Sequence, residues 1–335
     1  MSNKIIITGG LGYIGSHIAV ELKDIVDEFI IIDNLSNSDV CVIDKLKKLT
    51  KKKIIHYNIS INNENELKEI FSAHHPDSVI HLAGLKSVQE GELYPDKYFY
   101  TNVSGTVSLL NALKEYKCSN FIFSSSATVY GKPEYLPYDE EHPTVPVNNY
   151  GRTKLSAEQI IHDWSMNNNV STVSLRYFNP VGAHESGLIG ERPEGIPNNL
   201  MPYILEVISG KLKVLNIYGD DYDTKDGSGE RDYIHITDLA KAHVSALVYC
   251  KNNIINDVFN IGTGESISVF DIINTFKESL NTNINYNITN RRDGDLPKYF
   301  AATSKAEKYL RWKANKSLLD MCTDSLRWQK NYNIK

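Results

Sequence analysis

Tyr150 and Lys154 combine side chains and a spacing that suit proton transfer. They stand four residues apart at the start of a helical stretch that runs to about Asn167, so both project from one helix face. A tyrosine ionises near pH 10, and a role as base near neutrality requires a pKa shift of about three units, or roughly 4 kcal/mol. A neighbouring ammonium group acts in that direction. Spacing alone favours a simpler interpretation, a surface tyrosine and lysine on an amphipathic helix.

Three consecutive serines, Ser124 to Ser126, follow the apolar residues Phe121 to Phe123 of a predicted buried strand. Open α/β sheets bind ligands at the carboxyl edge of their strands, which is where these serines would lie. A hydroxyl group at that edge can shuttle a proton. Capping of the strand end is the more ordinary role, and it is the one we expect for Ser124 and Ser125.

Glycines follow the first predicted strand at three-residue intervals. Gly9 permits a tight turn, Gly12 lets the backbone approach a pyrophosphate, and Gly15 lets the next helix pack on the strand. That helix begins near Tyr13, and its N-terminus adds amide donors. The triplet alone is equally typical of an ordinary Gly-rich turn. Asp33 ends the second strand 24 residues after Gly9, where a carboxylate binds ribose hydroxyls and repels a 2′-phosphate, so NAD is favoured over NADP.

Short β-branched runs alternate with helical stretches through the first half of the chain, the pattern of a parallel sheet covered by helices. The runs are continuously apolar, as in Phe29 to Ile32, which is typical of strands buried on both faces. The predicted class is therefore α/β, a Rossmann-like doubly wound parallel sheet. The expected strands are Lys4 to Thr8, Phe29 to Asp33, Lys53 to Tyr57, Ser78 to Leu82, Asn120 to Ser125 and Val173 to Arg176.

Gly and Pro become frequent after Asn179, in loops at 182–202 and 219–229. We expect two domains, with residues 1–178 binding the dinucleotide and residues 179–335 forming a smaller α/β domain that binds substrate. A helix at Asp238 to Tyr249 and a strand at Val258 to Ile261 regain the earlier pattern. Residues 234–262 are therefore expected to return in part to the first domain.

Composition is that of an ordinary globular protein, with 41% hydrophobic and 23% charged residues among 335. The net charge of −5 argues weakly against nucleic acid or an anionic membrane as the main partner. No apolar run approaches the roughly eighteen residues that span a bilayer. Four scattered cysteines show neither metal-ligand nor disulfide spacing. We expect no metal, no membrane span, no leader before the first strand and a cytoplasmic location.

Three segments, Thr8 to His17, Asp33 to Leu35 and His81 to Gly84, together resemble the extended branch of the short-chain dehydrogenase/reductase superfamily. Asn58, Gly91 and Thr101 depart from the residues that are common there. The resemblance implies the following NAD-binding residues: Gly9, Gly12, Tyr13, Ile14, Gly15, Asp33, Asn34, Leu35, Ser36, Asn37, Ser38, Asn58, Ile59, Leu82, Ala83, Gly84, Lys86, Thr101, Ser124, Tyr150, Lys154, Tyr177 and Phe178.

A closer resemblance, to the UDP-glucose 4-epimerase family, covers essentially the whole chain and is most specific at Arg176 to His184, Gly195 to Pro202, Gly229 to His235 and Arg291 to Asp295. It implies a catalytic triad of Ser126, Tyr150 and Lys154. It also implies the following substrate-binding residues: Lys86, Ser126, Thr128, Tyr150, Asn179, Asn199, Leu200, Asn216, Tyr218, Arg231, Arg292, Asp295 and Tyr299.

The function implied by this resemblance is NAD-dependent interconversion of UDP-glucose and UDP-galactose through a transient 4-keto sugar, carried out by a homodimer. Other UDP-hexose or UDP-uronate 4-epimerases remain alternatives. A related dehydratase or decarboxylase would carry acidic groups near Ser126, where this chain has Ala127 and Thr128. A non-catalytic NAD-binding protein on the same fold is expected to lack part of the triad, whereas all three residues are present here.

Overall fold

A computed structural model describes residues 4–333 of the chain except 117, 194, 253–254 and 293. Its strands are β1 (Lys4–Thr8), β2 (Glu28–Ile32), β3 (Lys53–Tyr57), β4 (Ser78–His81), β5 (Asn120–Ser124), β6 (Ser171–Tyr177), β7 (Asn179–Val181), β8 (Leu215–Tyr218), β9 (Glu230–Arg231), β10 (Tyr233–His235), β11 (Asn256–Ile261), β12 (Ile267–Ser268), β13 (Tyr286–Thr289) and β14 (Lys298–Tyr299).

Helices connect most of these strands. The α-helices are α1 (Tyr13–Glu21), α2 (Val42–Thr50), α3 (Glu64–His74), α4 (Val88–Leu93), α5 (Pro95–Tyr98), α6 (Gly105–Leu113), α7 (Asn149–Asn168), α8 (Leu200–Ile208), α9 (Ile236–Asn252), α10 (Val269–Asn274) and α11 (Leu318–Asn333). Single turns of other helix types are the 3₁₀ helix Ala127–Val129 and the π-helices Phe99–Ser104, Thr275–Ser279 and Ala306–Leu310. No helix in the described part of the chain has the length and apolar character needed to cross a membrane.

Seven parallel strands form the central sheet, in the order β11-β6-β5-β4-β1-β2-β3. Successive residues of a strand face opposite sides of a sheet, so each strand feeds two cores. Ile5 and Ile7 pack beneath α1, α2 and α9, whereas Ile6 packs beneath α3, α6 and α7. Both faces are therefore covered, which is why the strands are apolar throughout. The predicted Rossmann-like, doubly wound class is confirmed.

The six strands expected in the first half of the chain are all present, with ends that shift by at most two residues. The largest shift is at β6, which begins at Ser171 rather than Val173. The hydroxyl residues Ser171 and Thr172 interrupt the apolar pattern, although both are buried and pair with neighbouring strands. The later strand and helix are also present, as β11 and α9, and β11 joins the sheet beside β6. The division of the chain at residue 178 stays a prediction.

A third core lies among α8, α10 and α11, which carry Met201, Ile272 and Met321. Short sheets accompany these helices, pairing β7 with β10, β8 with β13, and β9 with β12 and β14. Eight of the residues that the sequence predicts to bind substrate lie on these short strands or in the loops between them: Asn179, Asn199, Asn216, Tyr218, Arg231, Arg292, Asp295 and Tyr299.

Phe259 offers a test of whether the late strand β11 is part of the cooperative fold. Its side chain is fully buried and packs edge-on against Tyr249, with ring centres 5.8 Å apart. Phe259→Ala should lower the free energy of unfolding by about 3–5 kcal/mol, measured by urea denaturation. Val248→Ala, an exposed change on α9, should alter it by less than about 0.5 kcal/mol. Equal effects of the two substitutions would contradict the prediction.

Candidate active site

Loops at the carboxyl ends of the parallel strands bring most of the predicted cofactor residues to one edge of the sheet. Residues 9–15 follow β1, residues 33–38 follow β2, and residues 58–59 follow β3. Residues 82–86 follow β4. Ser124 ends β5, and Tyr177 and Phe178 lie at the end of β6. The other predicted residues are Thr101 in the π-helix Phe99–Ser104 and Tyr150 and Lys154 on α7. Because parallel strands end at the same edge, one topology assembles residues that are distant in sequence.

The glycine turn after β1 has the geometry that a dinucleotide requires. Gly9 has a φ of +68°, and a Cβ atom there would lie 2.9 Å from the amide nitrogen of Ala83. A Cβ atom on Gly15 would lie only 2.4 Å from the Gly9 carbonyl oxygen, so glycine allows α1 to pack closely on the turn. Gly12 caps α1, and no side chain among the described residues caps its first amides. Those amides remain available to an anion.

Asp33 ties the glycine turn to the loop after β2. Its Oδ2 atom accepts a hydrogen bond from the Leu11 amide at 3.0 Å. Its Oδ1 atom accepts from the Leu35 amide at 3.0 Å and from the Ser38 hydroxyl at 2.7 Å. A carboxylate oxygen has two lone pairs, so Oδ2 keeps one with which to accept a ribose hydroxyl. Asn34, Ser36 and Asn37 lie exposed in the same loop.

Asn102 is a site residue that sequence reasoning missed. Its side chain accepts from the Leu85 amide at 2.7 Å and donates to the Leu85 carbonyl and to the Thr153 hydroxyl, both at 3.0 Å. It thereby ties the loop after β4 to α7. Thr101 lies one residue away in the π-helix, and its cofactor contact stays a prediction. The departure noted at Thr101 points to the right segment, but no spacing rule identifies Asn102.

Ser126, Tyr150 and Lys154 are brought together, and all three are buried. The Ser126 Oγ atom accepts hydrogen bonds from the Thr128 amide at 3.2 Å and from the Thr128 hydroxyl at 3.0 Å. Its own hydrogen is thus free for the hydrogen bond that it makes with Tyr150. A Cβ atom on Gly151 would lie 2.6 Å from the Thr128 carbonyl oxygen, so glycine lets α7 approach this turn closely.

Burial governs the protonation of the pair on α7. It raises the pKa of Tyr150 to about 12, against the opposing hydrogen bond from Ser126. It lowers the pKa of Lys154 to about 8, against the opposing charge of Glu158. The Lys154 ammonium donates to the Ser124 carbonyl at 2.8 Å and lies 5.9 Å from the centre of the Tyr150 ring. The sequence predicts a lowered pKa for Tyr150, whereas in the protein alone the cost of burying a phenolate is the larger effect.

Glu158, one turn beyond Lys154, anchors α7 to the sheet and was also missed. Its carboxylate accepts from Arg176 Nη2 at 2.6 Å and Nε at 3.0 Å, and from the Ser125 hydroxyl. Both charged side chains are 7% exposed. The four-residue spacing of Tyr150, Lys154 and Glu158 is the signal that identifies this face of α7.

Ser124 has a different role from Ser126. Its hydroxyl lies 3.0 Å from His243 Nε2, and His243 Nδ1 lies 2.9 Å from the Leu239 carbonyl oxygen. Burial lowers the pKa of His243 to about 4, so the ring is neutral and Nδ1 donates to that carbonyl. Tyr177 is hydrogen-bonded to Ser124 and electrostatically coupled to Tyr150, and burial raises its pKa strongly. Tyr177 therefore lies beside the triad.

Five of the predicted substrate residues form a connected cluster. Asp295 Oδ2 accepts from Arg292 Nε at 2.9 Å, and Asp295 Oδ1 lies 3.9 Å from Arg231 Nη2. The Arg231 guanidinium stacks 4.6 Å from the Tyr299 ring, and Arg292 stacks 4.6 Å from the Tyr218 ring. Two cationic side chains on one cluster suit the oxygens of a diphosphate.

Tyr299 connects this cluster to the end of β6. Its hydroxyl donates to Asn179 Oδ1 at 3.3 Å, and its ring centre lies 6.1 Å from that of Phe178. Asn179 donates in turn to the Asp232 carbonyl at 3.1 Å. The predicted sugar-binding and cofactor-binding residues thus meet at Phe178 and Asn179.

The remaining predicted residues lie around this centre. Lys86 pairs with Glu191 at 2.8 Å, and Asn199 donates to the same carboxylate at 3.5 Å. Leu200 begins α8, and Asn216 lies in β8, paired with β13. Asn58 is exposed after β3, while Ile59 and Ala83 pack against the core cluster of Ile6. Tyr13, Ile14, Leu35 and Leu82 pack against the cluster of Ile5.

Comparison with known proteins accounts for this arrangement. The profile of the NAD dependent epimerase/dehydratase family matches residues 5–262, more than half of the chain. The chain belongs to the NAD dependent epimerase/dehydratase family. The glycine turn, the open first amides of α1 and the spare lone pair of Asp33 fit the dinucleotide that this family requires.

Relatives in this epimerase/dehydratase family match nearly the full chain. The UDP-glucose 4-epimerase of Bacillus subtilis is 45% identical over 97% of this chain and 96% of its own, and that of Dictyostelium discoideum is 46% identical over 98% and 96%. A solved UDP-glucose-4-epimerase from Stenotrophomonas maltophila, with bound NAD and formylated UDP-arabinopyranose, is 41% identical with a TM-score of 0.97 over 100% of this chain and 99% of its own. The Bifidobacterium longum enzyme, in complex with NAD⁺ and UDP, is 43% identical with a TM-score of 0.93 over 98% and 99%.

Asp33 should account for much of the affinity for NAD in this member of the epimerase/dehydratase family. We predict that Asp33→Ala weakens NAD binding roughly ten- to hundredfold, because a hydrogen bond to a charged group contributes about 1.5–3 kcal/mol. The substitution should also reduce the ratio of the affinity for NAD to the affinity for NADP. Equilibrium dialysis of refolded apoprotein measures both affinities. Asp44→Ala, an exposed carboxylate on α2, is the control and should bind as the wild type does. Unchanged NAD binding by Asp33→Ala would contradict the prediction.

Proposed function

We propose that this protein is an NAD-dependent epimerase that interconverts UDP-glucose and UDP-galactose by inverting C4 of the hexose. The observation that carries the proposal is the buried triad of Ser126, Tyr150 and Lys154, together with an arginine cluster that Tyr299 connects to Phe178 and Asn179 at the end of β6. Relatives at 45–46% identity over nearly the whole chain bear this activity in their names, which supports the same assignment.

The cofactor site follows from residues already described. The first amides of α1 and Lys86 would hold the pyrophosphate, and Asp33 would hold the adenosine ribose. Tyr177 and Phe178 would lie against the nicotinamide. NAD, when bound, supplies the acceptor and donor of the hydride at C4, so no external oxidant is consumed over a complete cycle.

Tyr150 would exchange the proton of the O4 hydroxyl, directly or through Ser126. Ser126 accepts two hydrogen bonds from Thr128, which fixes its oxygen and directs its hydrogen toward Tyr150. Loss of this proton together with transfer of the C4 hydride to bound NAD⁺ would leave a ketone at C4, and return of both the proton and the hydride would regenerate the alcohol. The burial that raises the pKa of Tyr150 keeps the phenol protonated, so that a proton is present for the return step, while the charge of Lys154 favours the phenolate in the first step.

The surroundings of the triad favour epimerisation over elimination of water. Elimination requires an additional acid or base beside the sugar, and the turn after Ser126 carries Ala127 and Thr128 instead. The carboxylate of Glu158 is occupied by Arg176 and Ser125. The chemistry available is therefore oxidation at C4 and reduction of the resulting ketone.

The UDP moiety would anchor the substrate while the sugar turns over. Arg231 and Arg292 suit its phosphate oxygens, and Asp295 suits ribose hydroxyls. Asn179, Asn199 and Leu200 would complete the diphosphate site. A 4-keto sugar tethered through its diphosphate can then present either face to the hydride donor.

The direct test is incubation of the purified protein with UDP-galactose without added cofactor, followed by chromatography of the sugar nucleotides. We expect UDP-glucose as product, and acid release from the protein should yield NAD. Absence of product from protein that contains NAD would overturn the proposed activity.

Removal of one oxygen tests the role of Tyr150. Tyr150→Phe should fold and bind NAD while losing about 10²- to 10⁴-fold in turnover, the usual contribution of general acid–base catalysis. Tyr116→Phe removes a hydroxyl that bonds only to the Lys68 carbonyl among the described residues, and it should keep wild-type turnover. Wild-type turnover by Tyr150→Phe would remove Tyr150 from the mechanism.

The preference for sugars with a small C2 substituent should depend on Tyr299, whose phenol ring would fill the space near that substituent. Close packing disfavours extra atoms by about 1–3 kcal/mol, so the wild type should prefer UDP-glucose to UDP-N-acetylglucosamine. Tyr299→Cys should raise the kcat/KM ratio for the N-acetylated sugar relative to UDP-glucose. Equal wild-type efficiency on both sugars would show that Tyr299 does not limit the pocket.

A homodimer and a cytoplasmic location complete the proposal. Free cysteines in the described residues support a reducing compartment. Exposed apolar side chains between residues 88 and 107 support self-association, among them Leu93 at 67% and Tyr100 at 63% exposure.

Light scattering after gel filtration tests the dimer. The wild type should have twice the 37.9 kDa chain mass, and Tyr100→Glu should shift it toward the monomer because a charge would enter the apolar interface. Tyr286→Glu changes an exposed tyrosine on β13 and should leave the mass unchanged. A monomeric wild type would contradict this part of the proposal.

A further inference from the structure

Residues 182–192, named the clasp here, bond to loops that follow three different strands of the central sheet. Glu191 pairs with Lys86 after β4 at 2.8 Å. The adjacent Arg192 pairs with Asp39, beyond β2, at 2.8 Å. Two neighbouring residues of opposite charge thus reach loops on two sides of the proposed cofactor site.

The other end of the clasp contacts the glycine turn. The Tyr13 hydroxyl, at the start of α1, donates to the Gly182 carbonyl at 2.7 Å. Burial and the charge of Glu191 both raise the pKa of Tyr13, so this phenol stays protonated and keeps donating. Three of the loops that would surround the dinucleotide, those after β1, β2 and β4, are therefore connected through one segment of eleven residues.

Helix α11 supports the clasp from behind. Trp328 Nε1 donates to the Glu191 carbonyl at 3.0 Å, and a Cβ atom on Gly190 would lie 2.6 Å from the Trp328 ring. Three further contacts fix the segment: Arg327 to the Glu185 carbonyl at 2.9 Å, Asn331 to the Gly187 carbonyl at 3.3 Å, and the Tyr332 ring 5.0 Å from the Arg192 guanidinium. The charged side chains of Glu191 and Arg192 thus extend from a backbone that α11 holds in place.

We propose that Glu191 and Arg192 are positioning residues that slow the release of the bound dinucleotide by holding the loops after β2 and β4 together. The proposal rests on the proposed function only in taking NAD as the cofactor. An ammonium group has three donors, so Lys86 can pair with Glu191 and still donate to a phosphate oxygen. Because Glu191 also accepts from Asn199, it connects the cofactor loops to the proposed diphosphate site.

Exposure ranks the two ion pairs. In the first pair Glu191 is 11% and Lys86 51% exposed, whereas in the second pair both partners are exposed, Arg192 at 52% and Asp39 at 41%. Water and salt screen exposed pairs, which are usually weak. We therefore expect loss of the Glu191 pair to accelerate release about fivefold and loss of the Arg192 pair about twofold, within the range measured for such pairs.

The experiment measures NAD release from purified holoprotein loaded with radiolabelled NAD and chased with excess unlabelled NAD. Glu191→Gln and Arg192→Gln should release label faster than the wild type. At 0.5 M KCl the Debye length is about 4 Å, so this salt should remove most of the difference for the exposed Arg192 pair and less of it for the Glu191 pair. Lys305→Gln is the control, because it breaks a 2.6 Å ion pair with Asp257 at the amino end of β11, away from the carboxyl edge of the sheet. It should release NAD at the wild-type rate.

A charge exchange separates an ion pair from a general loss of structure. Arg192→Glu should release NAD faster than Arg192→Gln because it faces Asp39, and adding Asp39→Arg should restore slow release. Wild-type release rates in both Gln variants, or failure of the exchange to restore the rate, would overturn the proposal. Wild-type protein that holds no NAD would instead contradict the proposed function.

Discussion

A buried ion pair between Glu158 and Arg176 sets the geometry on which the candidate active site depends. It joins α7, which carries Tyr150 and Lys154, to β6, and through Ser125 it also joins the end of β5. Ser126 is the next residue, so its distance from Tyr150 is fixed by the same contacts. Removing one partner would leave an uncompensated buried charge, which is far more costly than loss of an exposed pair. The relative positions of Ser126, Tyr150 and Lys154 therefore depend on contacts within the folded core.

Burial disfavours the charged forms of the triad residues, which opposes one proton-transfer step of the proposed reaction and favours the other. Desolvation disfavours both charged forms, since it raises the pKa of Tyr150 to about 12 and lowers that of Lys154 to about 8. Burial keeps the phenol protonated, which suits the step that returns a proton and opposes the step that removes one, and an epimerase needs both functions in alternate steps. Additional positive charge close to Tyr150 would balance them. In the proposed function, bound NAD⁺ would supply that charge through its oxidised nicotinamide in the step that requires the base.

The sequence predicts the central sheet well because its physical signal is local. Strands buried on both faces need continuous apolar runs, and Ile5 to Ile7 and Phe29 to Ile32 are such runs. The glycine turn and Asp33 are local as well. The sequence predicts a β6 that begins two residues too late, because its start carries the buried hydroxyl residues Ser171 and Thr172, whose partners lie on other strands.

Long-range contacts explain what the sequence does not predict. Asn102 acts through Leu85 and Thr153, which are 17 and 51 residues away. Glu191 and Lys86 are 105 residues apart. The pKa of Tyr150 depends on how completely it is buried, and no spacing rule reports burial. Resemblance to a known family supplied the positions of Arg231, Arg292 and Asp295, whose clustering is visible only in the fold.

The fate of deuterium at C4 tests the central claim most directly. UDP-galactose that carries deuterium at C4 is incubated with the purified protein without added cofactor, and the product is analysed by mass spectrometry and NMR. We predict UDP-glucose that keeps its deuterium at C4, because the same carbon loses and regains the hydride within one site. UDP-glucose with solvent hydrogen at C4, or a dehydrated 4-keto product, would contradict redox-neutral epimerisation by this protein.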